Sequence, residues 1–235
     1  MNAEKAKLVG RAKAIHISLL DSYGSPDWIN PLPPLDELIS TILSQNTNDV
    51  NRDVAFHALK EAYKNWKTLR DAPEEEVIDF IRPAGLANQK GPRIQSVLKQ
   101  ITKLRGELSI DFLANLSPEE ARQWLLQFKG VGPKTAAIVL QYSLGLPAFA
   151  VDTHVYRIMG RLGIKPEAMN ADKAHGYLEE LFPTESYFAA HINLIRLGRE
   201  ICHARKPNCP ACPLSQDCDY YAEHYDAQGR LLDEA

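Results

Sequence analysis

Four cysteines, Cys202, Cys209, Cys212 and Cys218, fall within 17 consecutive positions in the pattern C-x6-C-x2-C-x5-C, and the chain has no others. Two disulfides would account for them only in an oxidising compartment, which nothing else in the sequence suggests. Four thiolates converging on a metal centre is the better reading. Zinc ribbons present two close cysteine pairs, and only Cys209 and Cys212 form one here. The wider flanking gaps suit the separated corners of a [4Fe–4S] cubane, although spacing alone leaves zinc open. The loop between Cys202 and Cys209 carries His203, Arg205 and Lys206. Ligation would stiffen it into a cationic surface suited to phosphate.

A second chemical centre is Lys134. It follows Lys129-Gly130-Val131-Gly132-Pro133, where an amphipathic helix stops, the glycines turn and proline opens a new helix. The new helix offers free N–H groups to an anion, yet a bare Gly-x-Gly turn is equally a tight connector. A lysine in the first turn opposes the helix dipole. It is either an ordinary surface lysine or an amine whose surroundings favour the neutral, nucleophilic form. Asp152, in Val151-Asp152-Thr153-His154, sits where an apolar stretch enters a helix. It reads first as an N-cap. Chain reach also permits residues 145–152, up to ~26 Å when extended, to return Asp152 to the start of the ~18 Å helix that carries Lys134.

The elements that must position these groups are helical. Leu35, Leu38, Ile39, Ile42 and Leu43 mark one helix face, and Ile94, Val97, Leu98, Ile101 and Leu104 another. Ala121, Trp124, Leu125 and Phe128 repeat the pattern, as do Val155, Ile158, Met159 and Leu162. Ser117-Pro118-Glu119-Glu120 predicts a capping box, and Asp71-Ala72-Pro73-Glu74 a similar helix start. No alternating strand bounded by hairpin turns is present. The fold class is therefore all-α, with about ten helices expected from these periods. At 235 residues, 45% hydrophobic and 24% charged, the chain has a globular composition, which excludes disorder and a disulfide-dense mini-protein. The formal charge of −3 excludes a uniformly basic coat. Local asymmetry remains. Arg196, Arg199, Arg205 and Lys206 cluster against Glu200, whereas residues 217–235 set Asp217, Asp219, Glu223, Asp226, Asp233 and Glu234 against Arg230. No apolar run long enough for a membrane helix and no apolar signal core are present, so a cytoplasmic location is expected.

With these residues in hand, the chain resembles the endonuclease III branch of the helix-hairpin-helix DNA glycosylases over nearly its whole length. The resemblance rests on Leu125 to Ala137, on Val151-Asp152-Thr153-His154 and on the cysteine pattern. It implies a [4Fe–4S] cluster on the four cysteines. It implies a six-helix domain over 30–146, a cluster domain made of 1–29 with 147–235, and a DNA-binding cleft flanked by both. It implies a glycosylase with AP lyase activity, with Lys134 as nucleophile and Asp152 as its carboxylate partner. The partner would be double-stranded DNA bearing a damaged base or abasic site, with oxidised pyrimidines the family's usual substrates and a monomer expected. Leu43-Ser44-Gln45-Asn46-Thr47-Asn48-Asp49 is similar to the loop that fills the space left by an extruded base, and Leu86 in Gly85-Leu86-Ala87-Asn88-Gln89-Lys90 to a wedge residue. By position Asn46 matches the family's glutamine, while Gln45 carries the matching side chain. DNA contacts are further implied for Lys129, Gly130, Val131, Gly132, His154, Arg205 and Lys206.

Rival functions are a monofunctional glycosylase of the same fold, a non-catalytic iron–sulfur DNA-binding protein, and an electron-transfer protein. The first lacks a lysine at position 134. The second leaves Lys134 and Asp152 unused, and the third has no need of the hairpin.

Overall fold

The structure, a computed structural model, describes residues 3–28, 31–226 and 228–232. Asp233 and Glu234 of the acidic tail lie outside them. The chain divides into two compact units, Asn30–Leu146 and Met1–Ile29 with Pro147–Ala235.

The contiguous unit holds α2 (Pro34–Ser44), α3 (Asp49–Ala62), α4 (Trp66–Asp71), α5 (Glu74–Phe80), α6 (Ala87–Arg105), α7 (Pro118–Leu126) and α8 (Pro133–Ile138). A π-helical turn, Val139–Ser143, continues α8. The second unit holds α1 (Ala3–Tyr23), α9 (Thr153–Arg161), α10 (Ala171–Glu179), α11 (Tyr187–Glu200) and α12 (Asp219–His224). The described residues thus form twelve α-helices, and their only β pairing is an isolated bridge, Tyr225 to Leu231. The count exceeds the ten expected because α4 and α12, six residues each, are too short to show a period. No helix among the described residues is long and apolar enough to cross a membrane.

Packing follows the periods. In the contiguous unit α2 is central, touching α3, α6 and α8, and Leu35, Leu38, Ile39, Ile42 and Leu43 are all buried. Ile94, Val97, Leu98 and Ile101 of α6 are buried, but Leu104 is 54% exposed. It lies in the last turn, where Gly106 ends the helix in a left-handed conformation (φ 76°). In the second unit Ala12, Ile15 and Leu19 of α1 pack with Val155, Ile158 and Met159 of α9 and Leu194 and Leu197 of α11.

The capping box forms as the sequence predicts. Ser117 Oγ accepts from Glu120 N, and the Glu120 carboxylate accepts from Ser117 N at 3.0 Å. The other start differs. Pro73, not Asp71, caps α5, without a side-chain bond, because Asp71 is still the last residue of α4.

Candidate active site and cysteine centre

The hairpin is built by α7, the turn 127–132 and α8. Phe128 and Val131 are buried and anchor the turn, and Val131 N donates to Phe128 O at 3.0 Å. Gly130 has φ +90°, a conformation that side-chain-bearing residues rarely adopt. Among the described residues no acceptor meets the amides of Gly130 or Gly132. Lys129 and Lys134 are exposed, and Lys134 occupies the second position of α8, next to buried Thr135. The turn therefore displays two cations and free amides on one short segment.

The loop after α2 divides its two amide residues. Gln45 is engaged inside the unit: its Nε2 donates to Gly130 O at 2.9 Å and its Oε1 accepts from Arg93 Nη1 at 2.8 Å. Asn46 is exposed and left-handed, with φ +53°. The structure thus leaves Asn46 as the outward-facing side chain of the pair. Leu86 is also left-handed (φ +51°) and 47% exposed, directly before α6. An apolar side chain held in solvent by a strained backbone invites a contact. Sequence reasoning passed over Arg93 and Lys90. Neither carries a motif, and both are recognisable only from what they touch.

Asp152 caps α9, with Oδ1 accepting from Val155 N at 2.8 Å. The expectation of an N-cap is met, and Oδ2 has no partner among the described residues. The approach to Asp152 is pinned from three sides. Phe149 N donates to Glu179 at 2.8 Å, His175 Nδ1 donates to Phe149 O at 3.0 Å, and His191 Nδ1 donates to Ala150 O at 2.7 Å. His154 is half-buried against Gly198, and Arg157 Nη2 lies 3.1 Å from its Nδ1. Burial lowers the His154 pKa, and Asp152 partly opposes the shift.

All four cysteines line one small cavity of about 20 Å³, together with Arg161, Tyr220 and Tyr221. Among the described residues no three His, Cys, Asp or Glu side chains converge closely enough to hold a single metal ion. Burial pushes the Cys212 thiol up to about 11 and raises Cys209 and Cys218 as well. Arg161 organises the adjoining loop. It donates to Cys202 Sγ at 3.2 Å, to His203 O at 2.7 Å and to Ala204 O at 3.1 Å, and it stacks on Tyr220. Lys206 is left-handed (φ +50°), and Arg205 and Lys206 are both exposed.

Comparison with known proteins settles the family. Residues 39–184 match the HhH-GPD superfamily base excision DNA repair protein family. The chain belongs to the HhH-GPD superfamily. Its relatives include a provisionally named DNA glycosylase of Arabidopsis thaliana, 37% identical over 174 residues, which cover 74% of this chain and 59% of the plant protein. Endonuclease III of Thermotoga maritima is 35% identical over 188 residues, or 80% of this chain and 84% of that one. Among solved structures, a non-covalent endonuclease III–DNA complex aligns with a TM-score of 0.79 at 27% identity, covering 92% of this chain and 97% of its own. A trapped covalent endonuclease III–DNA intermediate aligns with a TM-score of 0.77, also at 27% identity. The all-α HhH-GPD architecture expected from the sequence is the one observed.

Proposed function

We infer that this chain is a base-excision DNA glycosylase with AP lyase activity that cuts the strand by β-elimination. The observation that carries the reading is Lys134, an exposed primary amine in the first turn after a Gly-x-Gly hairpin, in a chain of the HhH-GPD superfamily. The substrate is double-stranded DNA carrying a damaged base, an oxidised pyrimidine by preference, or an abasic site. The protein works as a cytoplasmic monomer.

Each residue then has a chemical task. The amides of Gly130 and Gly132, with Lys129, take a backbone phosphate, while Val131 holds the turn from below. Arg205, Lys206 and His154 add further backbone contacts. Asn46 and Leu86 occupy the duplex where the nucleotide has been flipped out, at a cost of a few kcal/mol that is smallest for a damaged base. The unpartnered oxygen of Asp152 stabilises positive charge developing on the sugar. The neutral amine of Lys134 forms an N–C1′ bond as the glycosidic bond breaks, and the base leaves with the bonding pair and a proton. The C1′–O4′ bond then breaks, the remaining nitrogen proton passes to O4′, and the opened sugar is left as a Schiff base. Removal of a C2′ proton then expels the 3′ phosphate.

The cysteine centre fits a [4Fe–4S] cluster held by Cys202, Cys209, Cys212 and Cys218. The fit rests on shape: four thiols surround a void, whereas a single zinc ion would draw its ligands to ~2.3 Å from one point. Such a cluster would supply positive charge that keeps the buried thiols deprotonated, and would order the loop carrying Arg205 and Lys206.

Incubation with duplex DNA bearing an abasic site, followed by borohydride, tests the reading. A covalent protein–DNA adduct that Lys134→Ala abolishes is expected. Base release without an adduct would make the chain monofunctional, and binding without either product would make it non-catalytic.

A further inference from the structure

The turn just before Lys134 is anchored by buried Phe128 and Val131, but its polar restraints from outside are few. Gly132 provides no side-chain cap for α8, and Pro133 has no N–H to donate. The turn's backbone bonds, Phe128 N to Leu125 O, Val131 N to Phe128 O and Ala136 N to Gly132 O, tie it only to its own two helices, and the side chain that reaches it from another element is Gln45. Its Nε2 reaches Gly130 O at 2.9 Å and stands 3.5 Å from the Thr135 hydroxyl, one residue beyond Lys134. Its carbonyl oxygen is held in turn by Arg93 at 2.8 Å. A primary amide has one acceptor and two donors, so this one spans from α6 to both sides of the turn.

Arg93 fits the turn in a second way. A Cβ on Gly130 would stand 2.1 Å from Arg93 Cδ and 2.2 Å from Nε. The glycine therefore leaves room for the arginine stem as well as permitting φ +90°. No carboxylate pairs with Arg93 among the described residues. Its charge-assisted bond goes to a neutral amide instead, a bond that fixes the direction of the Gln45 donor.

We propose that Arg93 and Gln45 are positioning residues that set the height of the Gly130–Gly132 turn and so aim Lys134, acting without contact to the reacting atoms. The proposal rests on Lys134 being the nucleophile. Nucleophilic attack needs reacting atoms about 3–3.5 Å apart, and a displacement of ~1 Å can cost about 10²-fold. A turn released from Gln45 keeps its cations and its free amides, and loses only its register.

The decisive variant is Gln45→Glu. It keeps the volume and the bond to Arg93, but turns an oxygen toward the Gly130 carbonyl in place of a donor. Single-turnover borohydride trapping on abasic duplex is measured against affinity for duplex carrying a reduced abasic analogue, with melting temperature as the control for folding. The expected result is a trapping rate at saturating DNA lowered by about tenfold or more, with affinity and melting temperature nearly kept. The pH profile of trapping should drop in height without moving along the pH axis. Arg93→Met should behave alike, and Gln45→Glu with Arg93→Met should be no slower than the slower single variant, because both act through one bond chain. A Gln45→Glu trapping rate within about twofold of wild type overturns the proposal. So does an equal loss of trapping and affinity, which would make Gln45 a DNA contact. If the wild-type protein itself gives no adduct, the assignment of Lys134 fails instead, and the two failures are separate results.

Discussion

Lys90 Nζ lies 2.7 Å from the carbonyl oxygen of Leu43, and the lysine is only 1% exposed. The same ammonium donates to Ala84 O at 2.8 Å. One buried cation thus joins the end of α2, just before Gln45 and Asn46, to the turn that precedes Leu86. Burial, with the charge of Arg93 second, pulls its pKa down to about 8. In the unfolded chain the group keeps its proton to about 10.4. Between those values the unfolded state binds more protons, so the native state gains stability as pH rises. The charged form below pH 8 is a standing cost of roughly 3 kcal/mol that disappears by about pH 10.4. Urea unfolding of wild type and Lys90→Met across this range should show their difference moving in favour of wild type as pH rises. A constant difference would mean that Lys90 does not titrate in the folded protein.

Gly198 of α11 and His154 of α9 make the second case. A Cβ at residue 198 would meet His154 Nδ1 at 2.4 Å and its Cβ at 2.8 Å. Glycine inside a helix normally costs about 1 kcal/mol relative to alanine, so Gly198→Ala would stabilise an isolated helix. Here the ring must move, at an overpacking cost of typically 1–3 kcal/mol. We expect Gly198→Ala to be net destabilising by thermal unfolding, and to become neutral or favourable when combined with His154→Ala. Stabilisation by Gly198→Ala alone would show that the ring yields without cost.

These two pairs mark what a sequence conceals. Helix faces such as Leu35 to Leu43 were legible because burial repeats with the helix period. The capping box at Ser117 was legible because both partners lie within four residues. The hairpin, Asp152 and the four cysteines stand out because their residue types are unusual for their places. Arg93 and Lys90 do not stand out: each is a basic residue in a polar stretch of α6, and its role depends on one carbonyl or one amide about fifty residues away in the chain. Gly130 was readable as a turn glycine, but not as room for an arginine stem. The two amides at positions 45 and 46 could not be ranked from sequence, since only backbone geometry turns one inward and the other outward.

The capping box gives a quantitative check on local stability. Ser117→Ala removes the acceptor for Glu120 N and the hydroxyl that pairs with the Glu120 carboxylate. Loss of an N-cap costs about 0.5–2 kcal/mol, and in a protein of this size each kcal/mol shifts the melting temperature by roughly 2–4 °C. Ser117→Ala should therefore melt a few degrees lower, while Ser117→Asp, which restores an N-cap acceptor, should lie between the two. Equal melting of all three would show that α7 is held by packing alone.

Removal of the proposed [4Fe–4S] cluster should separate fold from DNA binding. The cysteine cavity belongs to the unit that contains α9 and α12, and Arg161 ties its loop by bonds to Cys202 Sγ, His203 O and Ala204 O. Helices α2 to α8 share no residue with it. Oxidative stripping of iron in the presence of a chelator should bleach the visible absorbance and open residues 202–218 to proteolysis. Most helical circular dichroism should persist. The affinity for duplex DNA should fall, and its salt dependence should flatten as Arg205 and Lys206 cease to displace counterions. Iron and inorganic sulfide in the intact protein, near four of each per chain, follow from a [4Fe–4S] assignment. Colourless protein carrying one zinc ion would refute the cluster, and an unchanged salt slope after stripping would show that the loop does not touch the phosphate backbone.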